Sequence, residues 1–171
     1  MRPRDPDKPF HPCEPFDLDF YEAAPHRFDF EVELPCTPEE LFAILEDPEP
    51  WTVWASPGLT KVEWTSPKPY GPGTTRTVTL VGGLDVYEDF FVWEPPHRMA
   101  FFFYGATEKI WKRFGELYRV EATEGGCRLR WTVAYDALGY FDFLQPLARW
   151  PMKWVLGGYM TKLRDYVENH Q

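Results

Sequence analysis

The feature that most constrains this chain is the placing of its turn residues between residues 60 and 135. Gly71-Pro72-Gly73, Gly82-Gly83, Pro95-Pro96 and Gly125-Gly126 cut that stretch into segments of strand length. The segments Thr60–Trp64, Thr74–Val81, Asp85–Glu94, Met99–Tyr104, Phe114–Ala122 and Cys127–Tyr135 are predicted strands. Short connections between successive strands make neighbours antiparallel. One more strand precedes them. Phe28, Phe30, Val32 and Leu34 alternate with Asp29, Glu31 and Glu33, the two-residue period of a half-buried strand.

Helices flank this sheet. Pro35 ends the first strand, and Thr37-Pro38-Glu39-Glu40 reads as an N-cap, a first-turn proline and acids at the positive helix end. The helix Pro38–Glu46 buries Leu41, Phe42 and Leu45, and a short turn follows at Glu49–Trp54. The segment Gln145–Asn169 is a long helix, with Leu147, Trp150, Trp154, Tyr159, Leu163 and Tyr166 at helical spacing and Pro151 as a kink or a true start. An antiparallel sheet with one apolar face needs a cover, and this helix is the natural one. The fold class is α+β.

Residues 1–26 are different. Prolines at 3, 6, 9, 12, 15 and 25 oppose regular structure across the segment, while Phe10, Phe16, Leu18, Phe20 and Tyr21 are too apolar for a solvated tail. An extended arm laid on the surface of a domain at 27–171 is the expectation. The strand Asp85–Glu94 asks for such a cover, because Tyr87, Phe91 and Trp93 fall on one face and Val86, Phe90 and Val92 on the other. The arm is one candidate cover, and a homodimer partner is the other.

The net charge of −9 argues against nucleic acid and against an anionic membrane surface as partners. Cys13, Cys36 and Cys127 are few and widely spaced, which fits a reducing compartment. His11, His26, His97 and His170 have no zinc-site spacing, so no metal is expected, and no cofactor motif is present. The N-terminal residues lack the apolar run of a signal peptide, and no apolar stretch approaches the ~18 residues of a span. A cytoplasmic protein without stable membrane insertion is the expectation.

Several stretches together carry a family resemblance. They are Pro35-Cys-Thr-Pro-Glu-Glu-Leu-Phe with Trp51-Thr-Val-Trp54, Gly71-Pro-Gly-Thr-Thr-Arg76, Glu88-Asp-Phe-Phe-Val-Trp-Glu-Pro-Pro-His-Arg-Met-Ala-Phe101, and Tyr118-Arg-Val-Glu-Ala with Gly126-Cys-Arg-Leu-Arg-Trp-Thr-Val. In this order, over residues 28–168, they resemble the polyketide cyclase/dehydrase-like branch of the START/Bet v 1-like (SRPBCC) superfamily. The resemblance implies a helix-grip fold, in which a curved seven-stranded antiparallel sheet wraps a long C-terminal helix around an apolar cavity. It does not imply one activity, since relatives include lipid carriers, hormone receptors and aromatase/cyclases.

Strand pairing assigns the candidate site. A tight turn at Gly125 places Val120 opposite Leu129, Tyr118 opposite Trp131, and Glu116 opposite Val133. Glu116 then points inward among rings, where burial raises a carboxyl pKa and suits it to acid–base work. A two-residue loop at Gly82-Gly83 sets Arg76 against Asp89, and a loop one residue different sets it against Glu88. Structural pairing is the simpler role for that contact. The candidate ligand-binding residues are Trp54, Tyr87, Phe91, Phe103, Tyr118, Trp131, Val133 and Trp154, and the candidate catalytic residues are Glu116, Arg76 and Tyr104. Tyr104, Tyr135 and Tyr140 are placed at the cavity rim, with Gly105–Lys112 as a gating loop and Trp111 as its lid.

Three functions follow. The first is binding of an apolar or aromatic small molecule or lipid in an internal cavity. The second is a polyketide cyclase/dehydrase-like enzyme that holds a reactive chain in a productive shape beside one acid or base. The third is a protein-interaction module acting through the arm.

Overall fold

The computed structural model describes residues 2–170. In chain order the elements are β1 (His11–Pro12), α1 (Phe20–Ala23), β2 (His26–Leu34), α2 (Pro38–Glu46), α3 (Pro48–Trp54), β3 (Leu59–Trp64), β4 (Thr74–Leu80), β5 (Asp85–Glu94), β6 (Arg98–Ala106), β7 (Trp111–Thr123), β8 (Gly126–Ala137), α4 (Gly139–Phe143) and α5 (Gln145–Asn169). Seven strands form one antiparallel sheet in the order β2-β8-β7-β6-β5-β4-β3, and β1 pairs with β6 off that path. Along the seven-strand path, only the β2–β8 neighbours are joined out of sequence order. The sheet curls around α5, which packs against β2 and α3.

Local chemistry sets the helix starts. Thr37 Oγ1 accepts from the Glu40 amide at 3.2 Å, and the Glu40 carboxylate accepts from the Thr37 amide at 2.8 Å. This reciprocal box satisfies two amides that would otherwise lack partners at the start of α2. Asp47 ends α2 and caps α3, its carboxylate accepting from the Glu49 amide at 3.0 Å. Leu41, Phe42, Leu45, Trp51 and Trp54 then bury against the sheet.

The β7–β8 hairpin has the expected register. Val120 pairs with Leu129, Tyr118 with Trp131 and Glu116 with Val133. The β4–β5 hairpin takes the second of its two registers. The Leu80 amide donates to the Leu84 carbonyl at 2.7 Å, across a loop in which Gly82 and Gly83 both have positive φ. Arg76 therefore stands opposite Glu88, and Thr75 opposite Asp89.

The arm completes the sheet where two strands part. Pairing of β6 with β7 runs from Arg98↔Arg119 to Phe102↔Gly115 and stops. Beyond that point β1 takes the free edge of β6, with His11 opposite Ala106 and Pro12 opposite Gly105. The Cys13 amide donates to the Tyr104 carbonyl at 3.2 Å and the Glu14 amide to the Lys112 carbonyl at 2.8 Å, so the arm bridges the gap. Backbone groups that the curvature would leave bare are satisfied this way. The rings follow the backbone. Phe10 lies over Gly105, and Phe16 and Tyr21 lie over Gly115, where an added Cβ would fall 2.2 Å and 2.5 Å from the Phe10 and Phe16 rings. Arg2 pairs with Asp89 at 2.7 Å, and Lys8 with Asp85 at 2.6 Å. The outer face of β5 and β6 is thus covered by the chain itself.

Among the described residues no helix is long and apolar enough to cross a membrane. The Cys36 and Cys127 sulfurs lie 3.9 Å apart in the interior, as free thiols.

Candidate ligand cavity

Between the concave face of the sheet and the helices α3 and α5 lies a cavity of about 380 Å³. That is at the small end of the ~300–1,000 Å³ typical of ligand pockets. Rings supply much of its wall, including Trp54, Phe101, Phe103, Tyr118 and Trp131. Ile110 borders it from the β6–β7 connection and Trp111 from the start of β7, Val81 and Leu84 from the β4–β5 turn, and Leu156 and Tyr159 from α5. Val81 is largely exposed yet borders the cavity, which places an opening at that turn.

Three charged side chains reach this apolar space: Arg76, Glu88 and Glu116. Arg76 is 0% exposed, and its Nε donates to Glu88 Oε2 at 2.5 Å. Four rings surround the guanidinium carbon, with centroids at 4.3 Å (Trp51), 5.1 Å (Trp64 and Phe90) and 5.4 Å (Phe101). Cation–π attraction and the Glu88 charge together offset part of the cost of removing this cation from water. Both terminal nitrogens of Arg76 and the Trp54 indole N–H lack a hydrogen-bond partner among the described residues. Burial pushes the Glu88 carboxyl above its ordinary value, and the Arg76 charge opposes that rise.

Glu116 stands on β7 among rings. Its Oε2 accepts from the Tyr118 hydroxyl at 2.5 Å and from the Trp131 indole N–H at 2.9 Å. Burial raises its pKa to about 7, against the lowering effect of those two donors and of Arg76, while the Glu88 charge raises it further. The group therefore passes between acid and base near neutrality. It can give or take a proton, or hydrogen-bond a ligand oxygen in either state.

Some side chains expected in the cavity stand elsewhere. Tyr87 and Phe91 lie on the outer face with Phe102 and Tyr104, beneath Phe10 and Phe16. The inward set on β5 is Val86, Glu88 and Phe90. A charge in that alternation made it read as the outer face, but Glu88 is tolerated inside because Arg76 neutralises it. A register shift between Phe90 and Val92 then moves the parity by one, so Trp93 joins the inner cluster and Val92 the outer. Tyr104 is not at the rim. It lies on the outer face, its hydroxyl donates to the Pro3 carbonyl, and Arg2 sits 5.1 Å over its ring. It has no access to a reaction in the cavity.

Trp154 is also misplaced by periodicity, at 82% exposed. Five residues separate it from Tyr159, which is about 140° of helix rotation, so the two belong to different faces. Leu156, Tyr159, Met160 and Leu163 face the protein. Val133 is in the inner cluster but outside the cavity wall. Tyr135 donates to the Gln145 side chain, and Tyr140 is exposed. Half of the span expected as a gating loop is strand, with residues 107–110 between β6 and β7. Glu88 was missed as a cavity residue. Its signal was the opposite charge of Arg76 across the hairpin.

A curled antiparallel sheet gripping a C-terminal helix, with a ring-walled cavity between them, defines a helix-grip protein of the Bet v 1-like class. The family described as "Polyketide cyclase / dehydrase and lipid transport" matches residues 25–168, and the chain belongs to it. The uncharacterized protein Rv2574 of Mycobacterium tuberculosis (strain ATCC 25618 / H37Rv) is 49% identical over 129 residues, 75% of this chain and 77% of that protein. Among solved structures, TTHA0849 from Thermus thermophilus superposes with a TM-score of 0.69 at 17% identity, covering 84% of this chain and 98% of that one. Ara h 8.0201 gives 0.60 at 21% identity, covering 85% and 99%. These structures share the fold.

Proposed function

We propose that this protein binds an apolar small molecule or lipid in the cavity between sheet and C-terminal helix. The observation that carries the reading is the hollow itself, about 380 Å³ and walled by rings. Close-packed interiors leave few voids larger than a water, so a hollow of this size has a use. Its volume suits a compact ring system or a short chain. A cytoplasmic location is part of this reading.

The test is titration with N-phenyl-1-naphthylamine, a neutral apolar probe whose emission rises out of water. Saturable binding at one probe per chain is expected. Val86→Trp, which puts an indole into the void from β5, abolishes it. A second filled variant, Val78→Phe, gives the same result if Val86→Trp folds poorly. Absence of saturable binding to the native chain overturns the reading.

A cyclase/dehydrase-like enzyme is the second reading, and Glu116 favours it. A carboxyl with a pKa of about 7, anchored through one oxygen in an apolar wall, has the protonation equilibrium of a general acid–base group. Turnover of a reactive polyketone that falls with Glu116→Gln, while probe binding persists, would establish it.

A further inference from the structure

The helical segment at 139–155 presents an apolar surface that nothing among the described residues covers. On α5, Leu147, Trp150 and Trp154 recur at intervals of three and four and stand 77%, 77% and 82% exposed. Phe143 and Tyr140 of α4, just before it in the chain, are exposed as well. This face lies opposite Met152, Leu156 and Tyr159, which pack inward, so α5 is apolar on two sides. Large contiguous apolar patches on a protein surface mark a contact.

Charge identifies the partner. The chain as a whole carries −9, yet from residue 143 to residue 164 it has no acid and four bases, Arg149, Lys153, Lys162 and Arg164. Arg149 and Lys153 are exposed and each directly precedes a tryptophan in the chain, the Arg149 guanidinium lying 5.8 Å from the centre of the Phe28 ring. The acid just before the segment, Asp142, is engaged with His26 at 2.7 Å. Exposed tryptophans interleaved with bases are the pattern of a helix that lies in a membrane interface, its rings at headgroup level and its cations on anionic lipid. Position agrees, since Leu156, two residues beyond Trp154, lines the same cavity as the exposed Val81.

We propose that this segment docks the protein on an anionic lipid bilayer, with Phe143, Leu147, Trp150 and Trp154 in the interface and Arg149 and Lys153 on the headgroups. The docking is peripheral and reversible. It does not depend on what the cavity holds.

The experiment is flotation of the full chain with vesicles of phosphatidylcholine alone and of phosphatidylcholine mixed with phosphatidylglycerol. Binding is expected to the anionic vesicles, with a blue shift of tryptophan emission, and to weaken as salt is raised. Trp150→Ser/Trp154→Ser should abolish flotation with circular dichroism and N-phenyl-1-naphthylamine binding unchanged, because both residues are exposed. Arg149→Glu/Lys153→Glu should lower partition into anionic vesicles by about fivefold or more per residue. No flotation with anionic vesicles at low salt overturns the proposal. So does flotation that both double variants retain. Sedimentation velocity supplies the remaining arm: a dimer that the tryptophan variant dissolves, without vesicle binding by the native chain, would assign the surface to a second copy instead.

Discussion

The Tyr118 hydroxyl donates to the Glu116 carboxylate at 2.5 Å from two residues along the same strand face. Both side chains point into the cavity because alternate residues of a strand share a face. The contact holds one carboxylate oxygen in place, and the surrounding rings raise the pKa of the group to about 7 from an ordinary 4.5. The raised value ties stability to pH. Between those two values the folded chain keeps a proton that the unfolded chain has released. Stability from this group is therefore complete below about pH 4.5 and is lost as pH rises through about 7. The loss amounts to at most about 3 kcal/mol. Glu116→Gln keeps an acceptor for Tyr118 and Trp131 and removes the titration. Denaturant unfolding at about pH 5 and about pH 8 should show a smaller pH dependence in the variant than in the native chain.

The same group should govern the cavity's preference for neutral ligands. An apolar occupant beside Glu116 lowers the polarity of its surroundings and further disfavours its charge. N-phenyl-1-naphthylamine should bind more tightly on the acid side of pH 7, with uptake of a proton, and Glu116→Gln should bind it with little pH dependence. Titrations in buffers of different ionisation heat measure the proton directly.

Arg76 and Glu88 form an ion pair inside the protein, with 0% and 4% of their side chains exposed. Removing one partner leaves a buried charge uncompensated. Arg76→Met should cost about 3–5 kcal/mol, and Arg76→Met/Glu88→Gln should cost less than Arg76→Met alone. Thermal unfolding of the three proteins decides it. A double variant no better than the single would show that the rings around the guanidinium, and not the pair, carry the stability.

Two glycines separate the arm from the sheet beneath it. At Gly105 the nearest atoms that an added methyl meets are all of the Phe10 ring, the first at 2.2 Å, whereas at Gly115 it meets the Phe101 carbonyl oxygen at 2.4 Å as well as Phe16. Gly105→Ala should lift the front of the arm and leave the sheet intact, so proteases cut within residues 2–24 at an unchanged melting temperature. Gly115→Ala should lower the melting temperature itself. Limited proteolysis followed by mass spectrometry distinguishes the two.

Tyr21 reaches through the outer face with its hydroxyl 3.0 Å from the Phe101 carbonyl and 2.9 Å from the Glu116 carbonyl. Tyr21→Phe removes that donor from a fully buried site and should cost about 1–3 kcal/mol. Equilibrium unfolding measures it, and an unchanged midpoint would mean that the strand ladder alone satisfies both carbonyls.

Much of this was legible in the linear chain. The β7–β8 register followed from one two-residue turn, because a tight hairpin leaves a single pairing and that pairing sets every inward residue. Glu116, Tyr118 and Trp131 were placed together on that ground. The cap at Thr37 and the bounds of α2 and α5 likewise rest on neighbours in sequence. The family resemblance added the grip of sheet on helix.

What only the tertiary structure decided are faces that depend on distant partners. The inward side of β5 was hidden because Glu88 looks like a solvent residue until Arg76 is opposite it, and because one bulge past Phe90 exchanges the two faces. Tyr104 and Tyr87 went to the outer face because the arm, far away in sequence, covers them there. Trp154 faces outward because a five-residue step turns a helix by more than a third of a revolution. Periodicity reports that a face is apolar, through the local geometry of strand and helix. Which of two apolar faces is the cavity wall is settled by packing between segments far apart in the chain, and that is a property of the folded molecule.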